Sequence, residues 1–220
     1  MKLKTTVVLL PDLKIKRSEL HKVRGFFSSK YNENNLIHNH DGDKFIHRYP
    51  AVQFKTIDNI LYIYSFSSDT EDVFKDIFLT DYELDIEGKK YSINEKQIEV
   101  KDLELNDSED YFKYEFYSHW IALNQKNFEE YMKLKFQDEK DAKLKSIIIQ
   151  NIISVCKFAG YTIQNKLEVK ELNLKPVMTN LKGMEILAFK GDFEINFILP
   201  DYIGLGKSVS RGFGNVRRVK

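Results

Sequence analysis

Cysteine is almost absent from this chain of 220 residues: Cys156 stands alone. That excludes an internal disulfide framework and a cysteine-built zinc site, and it fits a reducing cytosol, so a cytoplasmic protein is expected. Long hydrophobic runs are missing as well. The apolar residues 7–10 are interrupted by Pro11 and Asp12 and lack a small-residue cleavage site, so residues 5–10 read as a strand rather than as part of a secretion signal. No stretch approaches the roughly 18 apolar residues of a membrane span, and no membrane partner is expected. Strong overall charge is also lacking: 34 Lys and Arg against 33 Asp and Glu leave +1. Any surface for nucleic acid therefore has to be local rather than a field of the whole molecule. No internal repeat is visible, and no acidic residue follows Asp201.

What is present suits a packed globular protein. Hydrophobic residues make up 42%, charged residues 30% and aromatics 13%, and this length fits one large domain or two of about 100 residues. After the strand at 5–10, Ser18 is a candidate N-cap for a helix whose Leu20, Val23 and Phe27 share one face. Residues 28–48 form a polar segment long enough to be functional. Residues 51–57 and 60–66, on either side of Asp58-Asn59, read as a β-hairpin. Residues 69–78 support a short helix through Val73, Phe74 and Ile77, and residues 82–103 alternate as one or two strands around Gly88. That order, βαββαβ, is the ferredoxin-like pattern.

The acidic patch at 102–110 is the boundary candidate, giving an N-terminal domain over residues 1–104 and a C-terminal domain over 105–220. Beyond it, residues 111–123 read as a strand, 128–136 as a short helix, and 142–158 as a long helix with Leu144, Ile148, Ile152 and Val155 on its apolar face. Gly160 is placed to cap that helix. Strands follow at 161–172 and 184–199, and residues 215–219 finish the sheet. The expected fold class is α+β, with two tandem ferredoxin-like (RRM-like) domains.

The C-terminal tail carries the chemistry. Gly204 to Gly214 reads Gly-Leu-Gly-Lys-Ser-Val-Ser-Arg-Gly-Phe-Gly, and Lys207, Arg211, Arg217, Arg218 and Lys220 give the tail a charge of +5. Glycines spaced in this way imply a backbone that comes close to something, and the cations point to a polyanion. A dinucleotide fold is excluded because only six residues remain after Gly214. A P-loop is excluded because Lys207 follows the wrong glycine. Residues 211–216 begin like an RNP1 strand, yet Asn215 and Arg218 replace two aromatics and the chain ends too soon, which leaves RNA as the ligand without a standard RNA-recognition motif. Residues 14–30 add a second basic stretch of net charge +5, and a single groove lined by both is expected.

Gly-h-Gly, five residues with a Lys or Arg, then Gly-h-Gly resembles the C-terminal loop of the CRISPR repeat-processing endoribonucleases of the RAMP superfamily. The N-terminal half adds to it: His38-Asn39-His40 follows the first helix, and residues 47–55, HRYPAVQFK, resemble the entry to the second strand in one branch of that family. The resemblance implies a metal-independent endoribonuclease that cuts repeats in precursor CRISPR transcripts to give guide RNAs. In that reaction a ribose 2′-hydroxyl attacks the adjacent phosphate, leaving 2′,3′-cyclic phosphate and 5′-hydroxyl ends. No cofactor is expected. Repeat RNA is the implied partner, with other CRISPR-associated proteins and a second copy of the chain as further candidates.

Imidazole, with a pKa of about 6.5, can take up and return a proton at neutral pH. The resemblance selects His40 first and His38 second, with Tyr49, Lys30 and Arg48 to orient the ribose or stabilise the phosphorane. RNA contacts are expected from Gly204, Gly206, Lys207, Arg211, Gly212, Phe213, Gly214, Arg217 and Arg218, and from Arg24 in the first helix. Two rivals remain: a noncatalytic RAMP-type RNA-binding subunit, and a metal-dependent nuclease using His38, His40 and Asp43. The letters H-N-H match the nuclease motif of that name only by accident, because its residues are dispersed over a longer unit. His21 reads as a solvated helix residue, and His119-Trp120 and the aromatic strands at 61–66 and 111–117 as core.

Overall fold

The computed structural model describes residues 1–32, 34, 37, 40–41, 44–45, 48–86 and 88–219, with the side chains of 40, 41, 44 and 45 outside that set. The chain divides into two compact units: an N-terminal one of residues 2–103 with 210–212, and a C-terminal one of Met1, 104–209 and 213–220. The three loop residues that group with the N-terminal unit are not anticipated by a single cut near residue 104.

In the N-terminal unit, β1 (Lys2–Lys14) leads through a 3-10 turn at Arg17–Glu19 into α1 (Leu20–Lys30). Ser18 is therefore inside that turn, not at the cap; Glu19 holds the cap position and returns its carboxylate to the Lys16 N–H at 2.9 Å. Two short strands, β2 (His40–Asp41) and β3 (Lys44–Phe45), pair with each other. The hairpin of β4 (Val52–Ile57) and β5 (Ile60–Ser65) turns at Asp58 and Asn59, both at positive φ (52° and 64°). These are residue types that tolerate the left-handed region. Then follow α2 (Glu71–Leu79), the hairpin β6 (Glu83–Ile86) and β7 (Lys89–Ser92) around Gly88, and β8 (Gln97–Glu104). Leu20, Val23 and Phe27 of α1 are fully buried, as their spacing requires, against Phe54 and Tyr82. Truncating a buried phenylalanine such as Phe27 costs about 3–5 kcal/mol.

In the C-terminal unit, β9 (Asn106–Phe116) is followed by α3 (Gln125–Lys133), α4 (Gln137–Ala159), β10 (Val169–Leu181), β11 (Met184–Ile198) and β12 (Val216–Arg218). Residues 106–110 of the acidic patch begin β9, with the Asp107 carboxylate bound by the Asn165 N–H at 2.8 Å and by the Tyr161 hydroxyl. Asn124 caps α3 through the Asn127 N–H at 2.8 Å, starting it three residues earlier than its apolar spacing suggests. Leu144, Ile148, Ile152 and Val155 are buried along α4, and Gly160 ends it at φ 69°.

Both sheets have four strands, ordered β4-β5-β1-β8 and β10-β11-β9-β12. Counting only the strands of each four-stranded sheet in chain order, each reads second, third, first, fourth, so both units are ferredoxin-like. Among the described residues no helix is long and apolar enough to cross a membrane.

Candidate functional site

The connection from β11 to β12 is the glycine loop, and backbone bonds hold it down near both of its ends. Gly204 pairs with Asn215 as an isolated bridge, Leu205 N–H donates to Gly214 O at 2.8 Å, Lys207 N–H to Ile121 O at 3.0 Å, and Gly214 N–H to His119 O at 2.9 Å. The close approach expected from the glycine spacing is real, but its partner is the chain itself. At Gly214 (φ 65°) a Cβ would stand 1.9 Å from Leu205 O, and at Gly206 (φ 87°) 2.6 Å from Trp120 Nε1. Only glycine fits such positions, on grounds of space and of backbone conformation. Phe213 is buried with Ile121 and Ala188, which leaves little of its ring exposed.

The loop's cations separate into two kinds. Arg211 belongs to the stretch that groups with the N-terminal unit, where a Cβ on neighbouring Gly212 would lie 2.3 Å from Leu20 Cδ1 of α1. Burial pulls the Arg24 guanidinium below the usual arginine range, and the charge of Arg211 pulls it further; burial does the same to Arg211 and to Arg17. The charge of Arg211 is therefore felt at Arg24. Arg24 also donates from Nη2 to Ile37 O at 3.3 Å, tying α1 to the residue just before His38.

Arg217 and Arg218 sit instead on β12. Arg217 donates from Nε to Glu115 Oε1 at 2.9 Å, its register partner on β9, and that bond raises its pKa. Arg218 lies 4.2 Å from the Phe112 ring centroid, and its N–H donates to Asp201 Oδ1 at 2.8 Å. Lys207 is exposed.

His38, Asp43 and His47 lie outside the described residues, as does the side chain of His40, whose backbone pairs with Phe45. Tyr49 is 8% exposed, which leaves its ring little surface for a ribose. Lys30, in the last turn of α1, holds its ammonium 4.9 Å from the Tyr82 ring centroid. Beside it the Tyr31 hydroxyl donates to Asp76 Oδ2 at 2.5 Å, which lowers the carboxyl's pKa. His21 bonds Ser18 O through Nδ1 at 2.8 Å, and His119 bonds Thr179 Oγ1 through Nδ1 at 3.1 Å. Trp120 is fully buried with its indole N–H on Asn151 Oδ1 at 3.2 Å.

Sequence reasoning missed one charged group entirely. Lys55 is fully buried on β4, donates to Gln53 Oε1 at 2.6 Å, and is held by desolvation well below the ordinary lysine range. The only sequence signal was an inward strand position occupied by a cation, which alternation alone does not distinguish from an outward one.

The chain matches the Cas6b N-terminal domain over residues 1–104 and the Cas6b C-terminal domain over residues 106–219. It is 36% identical to a protein solved as the crystal structure of Cas6b, with a TM-score of 0.92 and all of both chains covered. It is 32% identical to a CRISPR RNA processing endoribonuclease Cas6b, again over all of both chains, with a TM-score of 0.77. An uncharacterized protein of Methanocaldococcus jannaschii is 39% identical over 145 residues, 66% of this chain and 98% of that one. Matched in both halves and superposable end to end, the chain belongs to the Cas6b family.

Proposed function

We propose that this protein is an endoribonuclease that cuts the repeats of precursor CRISPR transcripts and so releases guide RNAs. The observation that carries the reading is the full-length likeness to Cas6b, one of whose solved members is a CRISPR RNA processing endoribonuclease. His40 and His38 form the proposed proton-transfer pair. One imidazole removes the proton of the ribose 2′-hydroxyl, which attacks the adjacent phosphorus, and the other protonates the departing 5′-oxygen. The products are then a 2′,3′-cyclic phosphate and a 5′-hydroxyl, and no metal ion is needed.

Arg24 and Arg211 are the proposed phosphate holders. Their mutual repulsion supports this role, since an anion between them removes it and gains charge-assisted hydrogen bonds. In the transition state the phosphorane carries additional negative charge, so the same pair contributes more there than in the ground state. The Arg24 bond to Ile37 O supports a second task, keeping the histidine segment in register with the bound phosphate. Lys30 adds a cation at the end of α1. Tyr49, being buried, fits a positioning task better than ribose contact.

Repeat RNA carrying a single 2′-deoxy nucleotide on the 5′ side of the scissile phosphate tests the reaction. Binding with unchanged affinity and complete loss of the cut are expected. Cutting at the ordinary rate would rule out the internal nucleophile.

A further inference from the structure

We infer that the C-terminal unit holds a pocket for one unstacked nucleobase beside the glycine loop, an inference that rests on the RNA-processing reading above. A cavity of about 630 Å³ opens between α3 and the β10–β11 hairpin. That volume lies in the range of small-ligand sites, roughly 300–1,000 Å³. Its walls include Phe128 of α3 and Met178 and Met184 of the hairpin, which are 38%, 57% and 63% exposed. Large apolar side chains gathered and left open in this way mark a binding surface rather than ordinary scatter. Methionine is polarizable and adapts to a flat ring, and an aromatic face stacks on one.

The lining is not purely apolar, and its charges identify the occupant. Lys207 of the glycine loop lines the same cavity, with its backbone pinned to Ile121 O at 3.0 Å, and so brings a cation to the apolar walls from a fixed root. Glu185, also in the lining, brings a carboxylate that can only accept hydrogen bonds. Asn124 and Gln125 add amide groups to the same lining, and an apolar slot edged by one cation, one carboxylate and hydrogen-bonding amides complements a flat ring with a polar edge that is joined to a phosphate. That is a nucleotide of single-stranded RNA, the form in which RNA sequence is usually read, with its base splayed out of the strand. The carboxylate further selects an amine-bearing base over uracil.

The test uses the whole protein, repeat RNA with abasic sites introduced one at a time, and a second variant, Phe128→Ala with Met184→Gln, whose substitutions fall on exposed positions and leave the melting temperature near that of the wild type. For the wild type, one abasic position is expected to weaken binding about tenfold, and uracil at that position to weaken it less. In the double variant, unmodified RNA should bind about tenfold more weakly, and the abasic site at that position should add nothing further. The inference is overturned if the penalty at every position is the same in both proteins. It is equally overturned if the variant binds and cuts repeat RNA as the wild type does while losing self-association or a protein partner, which would make the cavity a protein surface. Failure of the wild type to prefer repeat RNA over a scrambled strand is a different result, since it removes the RNA-processing reading itself along with the pocket.

Discussion

The two units share one strand order and differ in what joins the third strand to the fourth. In the N-terminal unit the join is α2 followed by the β6–β7 hairpin, and α2 buries Phe74 and Ile77 in the core. In the C-terminal unit it is the glycine loop, held by backbone bonds and by glycines where no Cβ fits. A helix in that position satisfies its own backbone. A clamped loop spends its backbone on the chain itself and presents an exposed cation, Lys207, from that fixed base. The distribution of reactive groups runs the other way: four of the five histidines, His21, His38, His40 and His47, fall in the N-terminal unit. The contrast is that one ferredoxin-like unit carries most of the imidazoles and the other most of the glycine loop, with residues 210–212 grouping with the first.

That division breaks most visibly at the histidines. His40→Ala should lower single-turnover cleavage by about 10²–10⁴-fold, the usual range for a general acid or base, with RNA affinity within about twofold. His119→Ala, which removes a side-chain bond to Thr179 in the C-terminal unit, should leave cleavage within about twofold. The reverse pattern would reassign the chemistry to the other unit.

Next in size is the loop clamp, measured by denaturant midpoints. Gly214→Ala combines positive φ with a Cβ placed 1.9 Å from Leu205 O, so a loss of about 2 kcal/mol or more is expected. Gly88 in the N-terminal unit has a similar φ, 81°, but open space around it, and Gly88→Ala should cost only about 1 kcal/mol. Equal losses would mean that the loop is no tighter than an ordinary turn.

The arginines sharpen the contrast further. Arg211→Ala should weaken repeat binding and reduce the salt slope by about one unit, as loss of one phosphate contact does. Arg217→Ala loses a half-exposed pair with Glu115, so its effect should be well under 1 kcal/mol in stability and smaller on the salt slope. The smallest effect is a labelling rate. Burial pushes the Cys156 thiol of α4 up to about 12, so at pH 8 almost none is thiolate and a thiol reagent should label the folded protein hardly at all. Gly214→Ala should speed that labelling, and Phe27→Ala, in the other unit, should not.

Much of this architecture was legible in the sequence because local chemistry and global fold agreed. Asp58-Asn59 marked a hairpin turn, Leu20, Val23 and Phe27 marked a helix face, and Gly160 marked a helix end, and each stands where expected. The acidic stretch was read as a domain boundary, and its composition does not say that residues 106–110 begin a strand, since Asp107 is held by Tyr161 and Asn165 from distant parts of the chain. The loop was legible as glycine-dependent but not as self-directed: nothing in the spacing of Gly206 and Gly214 says that Trp120 and Leu205 are what they touch. Nor does sequence separate Arg211 from Arg217, since what distinguishes them is a register partner on β9, Glu115, and register is a property of the folded sheet.

The central claim, that imidazoles alone perform the cut, is tested most directly by incubating the protein with end-labelled repeat RNA in excess EDTA and identifying the termini produced. The account predicts one cut per repeat at an undiminished rate, with cyclic phosphate and 5′-hydroxyl ends. Cleavage abolished by EDTA and restored by a divalent cation would contradict it.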